Sequence, residues 1–391
     1  MLLLLVLSPV LSFAKSLTAV IPKPQLYEQF PGVFNVTEST VILAPDQLMK
    51  RAKQLKDYLE PALGFELAKG SKPTIKNIIE LKLEKSLNPL NAEAYKLVVS
   101  PDKITITASS DKGIFWGIQT IRQLLPSSIL RSAPVRGMKW EIPCLKIEDA
   151  PRFKWRGLML DCSRTFIAKN EVKKYIDAMS FFKMNVLHMH LTDDQGWRIE
   201  IKKYPELTRT AARFHPSFNE PKENEGFYSQ DDIRELVEFA AQRNVEIVPE
   251  IEMPGHTSEV FSVFPNLSCT GDTTRVHPWL KGAGIHNEVF CAGNEETFTF
   301  LQNVLDEIAG LFPSKYVHIG GDEAPKKYWK ECPKCQKRIA GEKLKDENEL
   351  QSWFVRRIEK HLNSKGKKLI GWDEIMDGGL SKSSTVMYWR S

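Results

Sequence analysis

Beyond its N-terminal segment this chain has no apolar run long enough to span a bilayer, which excludes an internal membrane-spanning helix of ordinary length. Clustered positive charge is also missing. The formal net charge is only +5 over 391 residues, with Lys and Arg spread throughout, so nucleic-acid binding gets no support from composition. Cysteine is scarce, with six in all, too few for a disulfide scaffold in a chain of this size. Cys332-Pro-Lys-Cys335 has metal-ligand spacing, but no second such pair supplies the other two ligands of a zinc site. A local disulfide or two free thiols is therefore expected there, and no metal. Cys269 and Cys291 flank a polar, Gly-rich insertion that they can close in an oxidising compartment.

What is present is ordinary globular composition. A hydrophobic fraction of 42% and a charged fraction of 26% provide for an ample core, and the length suits two domains or a barrel with an added module. The first residues, Met1 to Ala14, are apolar and break at Lys15, with Ser12-Phe13-Ala14 offering small residues where a signal peptidase cuts. Residues 1–16 thus read as a signal peptide, and the protein as exported to a periplasmic, extracellular or lysosome-like compartment. Asn35-Val-Thr37 and Asn266-Leu-Ser268 match the glycosylation acceptor pattern, a triplet that also arises by chance.

Residues 17–150 form one compositional block, read as a small α+β domain. Tyr95–Ser100 and Lys103–Ala108 pattern as paired strands around Pro101-Asp102. Ile114, Ile118, Ile121 and Leu125 recur at helical spacing, and an earlier helix over 48–59 is expected to close at Pro61. From Arg156 the rhythm changes to alternating strand and helix. Strands are expected at 157–161, 185–191, 245–251, 316–319, 368–372 and 385–389. Helices are expected at 169–182, 229–243 (with Ser229 as N-cap), 295–310 and 349–362. Repeated βα units with apolar strands indicate a parallel sheet covered by helices, with residues 151–391 as a (β/α)8 barrel of which about six strands are visible. The polar residues gather just after the strands, on the rim where such barrels carry chemistry.

The most informative stretch is His318-Ile-Gly-Gly-Asp-Glu323. Neighbouring side chains on a strand point to opposite faces, so two adjacent acids do not normally share a site. A bend at Gly320-Gly321 brings Asp322 and Glu323 to one mouth. Taken alone, the pair also fits a solvated acidic loop.

Taken together, the rim motifs are more specific. They are Asp161-Cys-Ser-Arg164, His188-Met-His-Leu-Thr-Asp-Asp-Gln-Gly-Trp197, Glu252-Met-Pro-Gly-His256, His318-Ile-Gly-Gly-Asp-Glu323 and Gly371-Trp-Asp-Glu374. In this order and spacing they resemble the family 20 glycoside hydrolases, the β-N-acetylhexosaminidases. The earlier block resembles that family's smaller N-terminal domain through Ile21-Pro-Lys-Pro24 and the run Gly113 to Pro126. The resemblance implies a TIM barrel and exo-hydrolysis of terminal β-linked N-acetylglucosamine or N-acetylgalactosamine from a glycan, with no metal or organic cofactor.

The residue chemistry agrees. Glu323 is the expected general acid, which must stay protonated near neutral pH. Asp322 is too near Glu323 to act from the opposite sugar face, since a retaining pair straddles the scissile bond about 5 Å apart. Adjacent acids instead favour substrate assistance, in which the 2-acetamido oxygen attacks the anomeric carbon while Asp322 orients the amide N–H and stabilises the oxazolinium charge. The resemblance implies the same two roles. Arg164 can hold sugar hydroxyls through its guanidinium fork, or form an ordinary surface ion pair. The family pattern implies a relay of His256 and Asp193 to Glu323, with the choice between Asp193 and Asp194 open. His188 and His190 read as core or supporting residues. Trp372 and Trp389 are expected to wall the acetamido pocket, with plain core packing as the alternative. Asp373 and Glu374 are left outside the catalytic set.

The family pattern supplies a further Tyr, and a Trp with an acid, from the last two strands; none is present by Ser391. The barrel therefore reads as incomplete at its C-terminal side, and a non-catalytic sugar-binding protein is the competing expectation. A zinc hydrolase built on Cys332 and Cys335 is a distant third.

Overall fold

The computed structural model describes residues 20–69, 76–87 and 91–390. The signal-peptide expectation falls on residues outside that set. The chain divides into two compact units, one reaching Lys154 and including Phe181–Lys183, the other made of the remaining residues from Trp155 onward.

The first unit is a seven-stranded sheet of β1 (Leu26–Asn35), β2 (Val41–Leu43), β3 (Ala68–Lys69), β4 (Ile78–Leu83), β5 (Tyr95–Val99), β6 (Lys103–Ala108) and β7 (Glu141–Asp149). Its strand order is β1-β7-β5-β6-β4-β2-β3. β5 and β6 pair antiparallel as the turn at Pro101-Asp102 predicts. Ile104, Ile106 and Ala108 are fully buried, so the alternation did mark a half-buried strand. Helix α2 (Asp111–Leu124) covers them, with Ser110 capping the backbone N–H groups of Lys112 and Gly113. Gly113 is needed there, since a Cβ would stand 2.3 Å from the Ala94 carbonyl.

Helix α1 (Met49–Leu63) corrects one expectation, because Pro61 lies inside it and does not end it. A proline removes one N–H bond in the last turn, and the stop is set instead by Gly64. That residue takes φ 76° and donates its N–H to the Glu60 carbonyl at 3.0 Å. Strands β1 to β4 and β7 are absent from the sequence reading; exposed positions in β1 hide the period, and β2 and β3 are only three and two residues long.

The second unit carries six parallel strands in the order β15-β14-β13-β12-β9-β8. They are β8 (Gly157–Asp161), β9 (Val186–His190), β12 (Glu246–Glu250), β13 (Tyr316–His318), β14 (Lys368–Trp372) and β15 (Thr385–Met387). A short hairpin of β10 (Thr192–Asp193) and β11 (Gly196–Trp197) follows β9. Helices α3 (Lys169–Phe181), α4 (Gln230–Ala241), α5 (Glu295–Leu311), α6 (Pro333–Glu342) and α7 (Glu347–Ser364) are the principal helices. Ser229 caps α4 in a reciprocal capping box with Asp232. α5 buries Phe298, Leu301, Val304, Leu305 and Ile308 on one stripe. Each such side chain contributes roughly 1.5–3 kcal/mol of burial, so this face holds the helix to the sheet.

This is the α/β sheet of a (β/α)8 TIM barrel with six strands present. β8 and β15 are its edges, and a groove of about 520 Å³ lies along them, lined by Leu158, Met159, Ile370, Val386 and Met387. No helix among the described residues is long and apolar enough to cross a membrane.

Candidate active site

The site begins at the sharp turn after β13. Gly320 and Gly321 take φ values of 64° and 93°. A Cβ on Gly320 would lie 1.5 Å from Glu252 Oε2, and one on Gly321 would lie 2.5 Å from Ile375 Cγ2. The glycine pair thus turns the chain and leaves room for a buried carboxyl. Asp322 and Glu323 emerge from this turn, with Glu323 itself at φ 43°. His256 stands at φ 51°, so two neighbouring non-glycine residues of the site occupy the left-handed region.

His256 joins two pairs of acids. Its Nδ1 lies 3.2 Å from Asp194 Oδ2 and 3.4 Å from Asp193 Oδ1. Its Nε2 faces the acid pair, 3.4 Å from Glu323 Oε2 and 3.8 Å from Asp322 Oδ2, close enough for ion pairing without a hydrogen bond. Burial opposes charge on the ring, but the Asp193 and Asp194 carboxylates win and raise its pKa to about 11. Both aspartates therefore face inward, which the sequence left open. The two-residue turn of the β10–β11 hairpin is the reason. Asp193 ends β10 and is held by Arg164, while Asp194 accepts the Ser258 backbone N–H at 2.9 Å and so ties down the segment that follows His256.

Beneath this layer is a buried polar core that holds His188 and His190, as expected, around Glu250, which the sequence reading missed. Glu250 is fully buried and meets His188 Nε2 at 2.9 Å, His318 Nδ1 at 2.8 Å and His190 Nδ1. The other ring nitrogen of His190 meets Asp193 Oδ2 at 2.9 Å. Burial works against a charged His190, yet the flanking Glu250 and Asp193 raise its pKa to about 10. Glu250 is pushed well below its usual range by the surrounding imidazoles, despite burial. Glu252, two residues on and on the same strand face, goes the opposite way: burial, then Asp322, Glu250 and Asp193, hold it well above the usual range. The signal was there, because Glu250 and Glu252 repeat at period two across an apolar strand.

Arg164 lies just beyond β8. It pairs with Asp193 Oδ2 at 2.7 Å and Asp161 Oδ2 at 3.1 Å, and its guanidinium carbon lies 5.6 Å from the Trp279 ring centroid. Burial disfavours its charge, but Asp193 and Asp161 more than compensate. Asp322 is mostly buried, and burial raises its pKa to about 6 against the pull of His256. Its Oδ1 has no hydrogen-bond partner among the described residues.

The two indoles are placed differently from each other. Trp372 is half-buried and packs against the polar core, its ring centroid 4.7 Å from that of His318 and 5.7 Å from that of His188. Trp389 is 53% exposed and donates its indole N–H to Glu374 at 3.0 Å. Asp373 accepts the Trp389 backbone N–H at 3.1 Å and pairs with Arg390, so it orders the end of β15.

Cys332 and Cys335 carry no disulfide, in line with the expectation of free thiols, but the reading that no further sulfurs reach this pair is corrected. Cys269 and Cys291 come together with Cys332 and Cys335 in one cluster, so the Cys-x-x-Cys pair does meet two further sulfurs. Cys269 approaches Cys335, and Cys291 approaches both Cys332 and Cys335. The long polar insertion hides this convergence in the sequence.

Residues 153–391 match the Glycosyl hydrolase family 20 catalytic domain, and residues 17–150 match its domain 2. The chain is 41% identical over 374 residues to a beta-hexosaminidase of Porphyromonas gingivalis, covering 95% of this chain and 47% of that one. It is 35% identical over 383 residues to a beta-hexosaminidase of Vibrio furnissii, covering 95% and 60%. It thus spans about half to three fifths of the length of these curated relatives. Among solved structures, the GH20 beta-N-acetylhexosaminidase of Streptomyces coelicolor superposes with a TM-score of 0.82 at 32% identity, covering 95% of this chain and 69% of that one. The beta-N-acetylhexosaminidase of Bacteroides fragilis gives 0.81 at 34% identity, covering 95% and 70%. With a polar rim built around an adjacent acid pair and both of its domains matched, this chain belongs to glycosyl hydrolase family 20.

Proposed function

We propose that the protein is an exo-β-N-acetylhexosaminidase that removes terminal non-reducing β-linked N-acetylglucosamine or N-acetylgalactosamine with retention, through an oxazoline formed by the substrate's own acetamide. One observation carries this reading: the two neighbouring acids after β13 both face His256, while Asp322 Oδ1 is buried with no partner among the described residues. An unpaired buried acceptor is costly, and a substrate amide N–H would satisfy it. Glu323, with its side chain 35% exposed, is the group that reaches the glycosidic oxygen, first giving a proton and then activating water. His256, Asp193 and Asp194 fix the position and field around it. Arg164 offers its guanidinium to sugar hydroxyls from the Asp193 side.

The relatives support the substrate class. An exo beta-N-acetylglucosaminidase of Vibrio harveyi is known in complex with N-acetylglucosamine, with 32% identity to this chain and a TM-score of 0.82. The apolar opening segment supports export. The direct test is the anomeric form of the first product released by the intact gene product from an N-acetylglucosaminide, followed by NMR. Initial β-product is expected; initial α-product would rule out the oxazoline route.

A further inference from the structure

We propose that Cys269, Cys291, Cys332 and Cys335 form a tetrathiolate site for one structural zinc ion, pinning the polar insertion to the start of α6. The four sulfurs lie within 4.8 Å of one another. Cys269–Cys335, Cys291–Cys332 and Cys291–Cys335 are each separated by 3.7 Å between sulfurs. A disulfide brings two sulfurs to about 2.0 Å and leaves a third outside. Here Cys291 and Cys335 each have two equidistant sulfur neighbours, so the cluster does not resolve into two pairs. A zinc ion with Zn–S bonds of about 2.3 Å sets the edges of its sulfur tetrahedron at about 3.8 Å. The observed spacing matches that edge.

The surroundings suit a closed metal site. Cys291, Cys332 and Cys335 are buried and Cys269 is partly buried, which excludes an open, catalytic position. Cys332 is the N-cap of α6, so the cluster sits at the positive end of a ten-residue helix, and the Gly293 backbone N–H bonds to Cys291. Gly293 must be glycine, because a Cβ would stand 2.2 Å from the Lys334 carbonyl carbon. Four thiolates and a divalent cation leave two negative charges. Lys330, Lys334, Lys337 and Arg338 share that stretch of chain. A tetrahedral all-sulfur donor set selects zinc or iron, and zinc needs no redox partner.

The site would brace the loop that holds His256. The Phe290 N–H donates to the Pro254 carbonyl at 2.9 Å, and Trp329 Nε1–H donates to the Phe290 carbonyl at 2.9 Å. The Cys291 N–H donates to Leu267 at 2.8 Å. The metal would therefore fix the strip of chain lying against Met253-Pro254-Gly255-His256.

The test is metal analysis of the intact gene product, purified without added reductant or chelator and with zinc in the medium, together with its intact mass. About one zinc per chain is expected, with all four thiols resisting alkylation until the protein is denatured with a chelator. Exchange of zinc for cobalt should give the intense visible absorption of tetrahedral cobalt thiolate. The Cys332→Ser/Cys335→Ser double variant should lose metal and spectrum, while Cys144→Ser keeps both. The wild-type measurements stand even if the double variant does not fold. Protein free of metal, whether its thiols are free or its mass is short by four hydrogens, bound iron in place of zinc, or zinc retained by a folded double variant would overturn the proposal.

Discussion

His256 Nε2 lies 3.4 Å from the Glu323 carboxylate while its other ring nitrogen is held by Asp194 and Asp193. This imidazole is a cation at neutral pH because both aspartates outweigh its burial. It therefore acts as a fixed positive charge beside the acid pair and does not titrate near neutrality. Glu323 is the only member of this group that is substantially exposed, which is what a proton donor to an incoming sugar needs.

Replacing Glu323 by Gln removes the transferable proton and keeps the shape. We expect kcat/KM on a chromogenic N-acetylglucosaminide to fall by about 10²–10⁴-fold, with far-UV circular dichroism unchanged. Unaltered turnover would assign the acid to another residue.

In the proposed mechanism Asp322 sets the acidic side of the pH profile, because its carboxylate is the form that would stabilise oxazolinium charge, and burial raises its pKa to about 6. Activity should therefore decline as pH falls through about 6. The Asp322→Asn variant should show low activity and no such decline.

The same shift has a consequence for stability. A carboxyl whose folded pKa is raised favours its protonated form in the fold. Its contribution is complete below the unfolded value of 3.8 and disappears as pH rises through about 6. Two units correspond to ~3 kcal/mol at most. Asp322→Asn should thus be more resistant to urea than the wild type at pH 8, and the difference should close below pH 4. A destabilised variant at pH 8 would contradict the buried, uncompensated state of this acid.

Glu250 is predicted to be structural. Its carboxylate faces three imidazoles in a fully buried position. Glu250→Ala would strand at least one charged ring, and the loss of a buried partner costs about 3–5 kcal/mol. Urea midpoints should shift accordingly, and a neutral result would mean that His190 is uncharged in the fold.

Gly320→Ala should be as severe. The added Cβ meets the Glu252 carboxyl at 1.5 Å, and the backbone is already at φ 64°. The expected result is loss of soluble folded protein or a drop of several kcal/mol in unfolding free energy.

The legible parts of this molecule were those with a local physical cause. The Gly320-Gly321 bend, the acid pair and the parallel strands follow from conformational freedom and apolar period, and the structure shows all three. Lys368–Trp372 and Lys103–Ala108 even keep their bounds. What stayed hidden depends on long-range meetings. Asp193 and Asp194 both turn inward because a hairpin places them, and no sequence period reports that. Cys269 meets Cys335 across an insertion whose path is not encoded in spacing. Pro61 misled because burial of Ala62 and Leu63 carries the helix past the proline as far as Gly64, and that tertiary gain is not visible in the local sequence.

The most direct measurement of the central claim compares two chromogenic substrates of the intact gene product, the β-N-acetylglucosaminide and the matching β-glucoside. If the acetamide is the nucleophile and Asp322 its support, the N-acetyl substrate is hydrolysed and the glucoside is essentially inert, and Asp322→Asn narrows the gap from the N-acetyl side. Comparable kcat/KM for the two substrates would show that the acids after β13 act without the substrate's help.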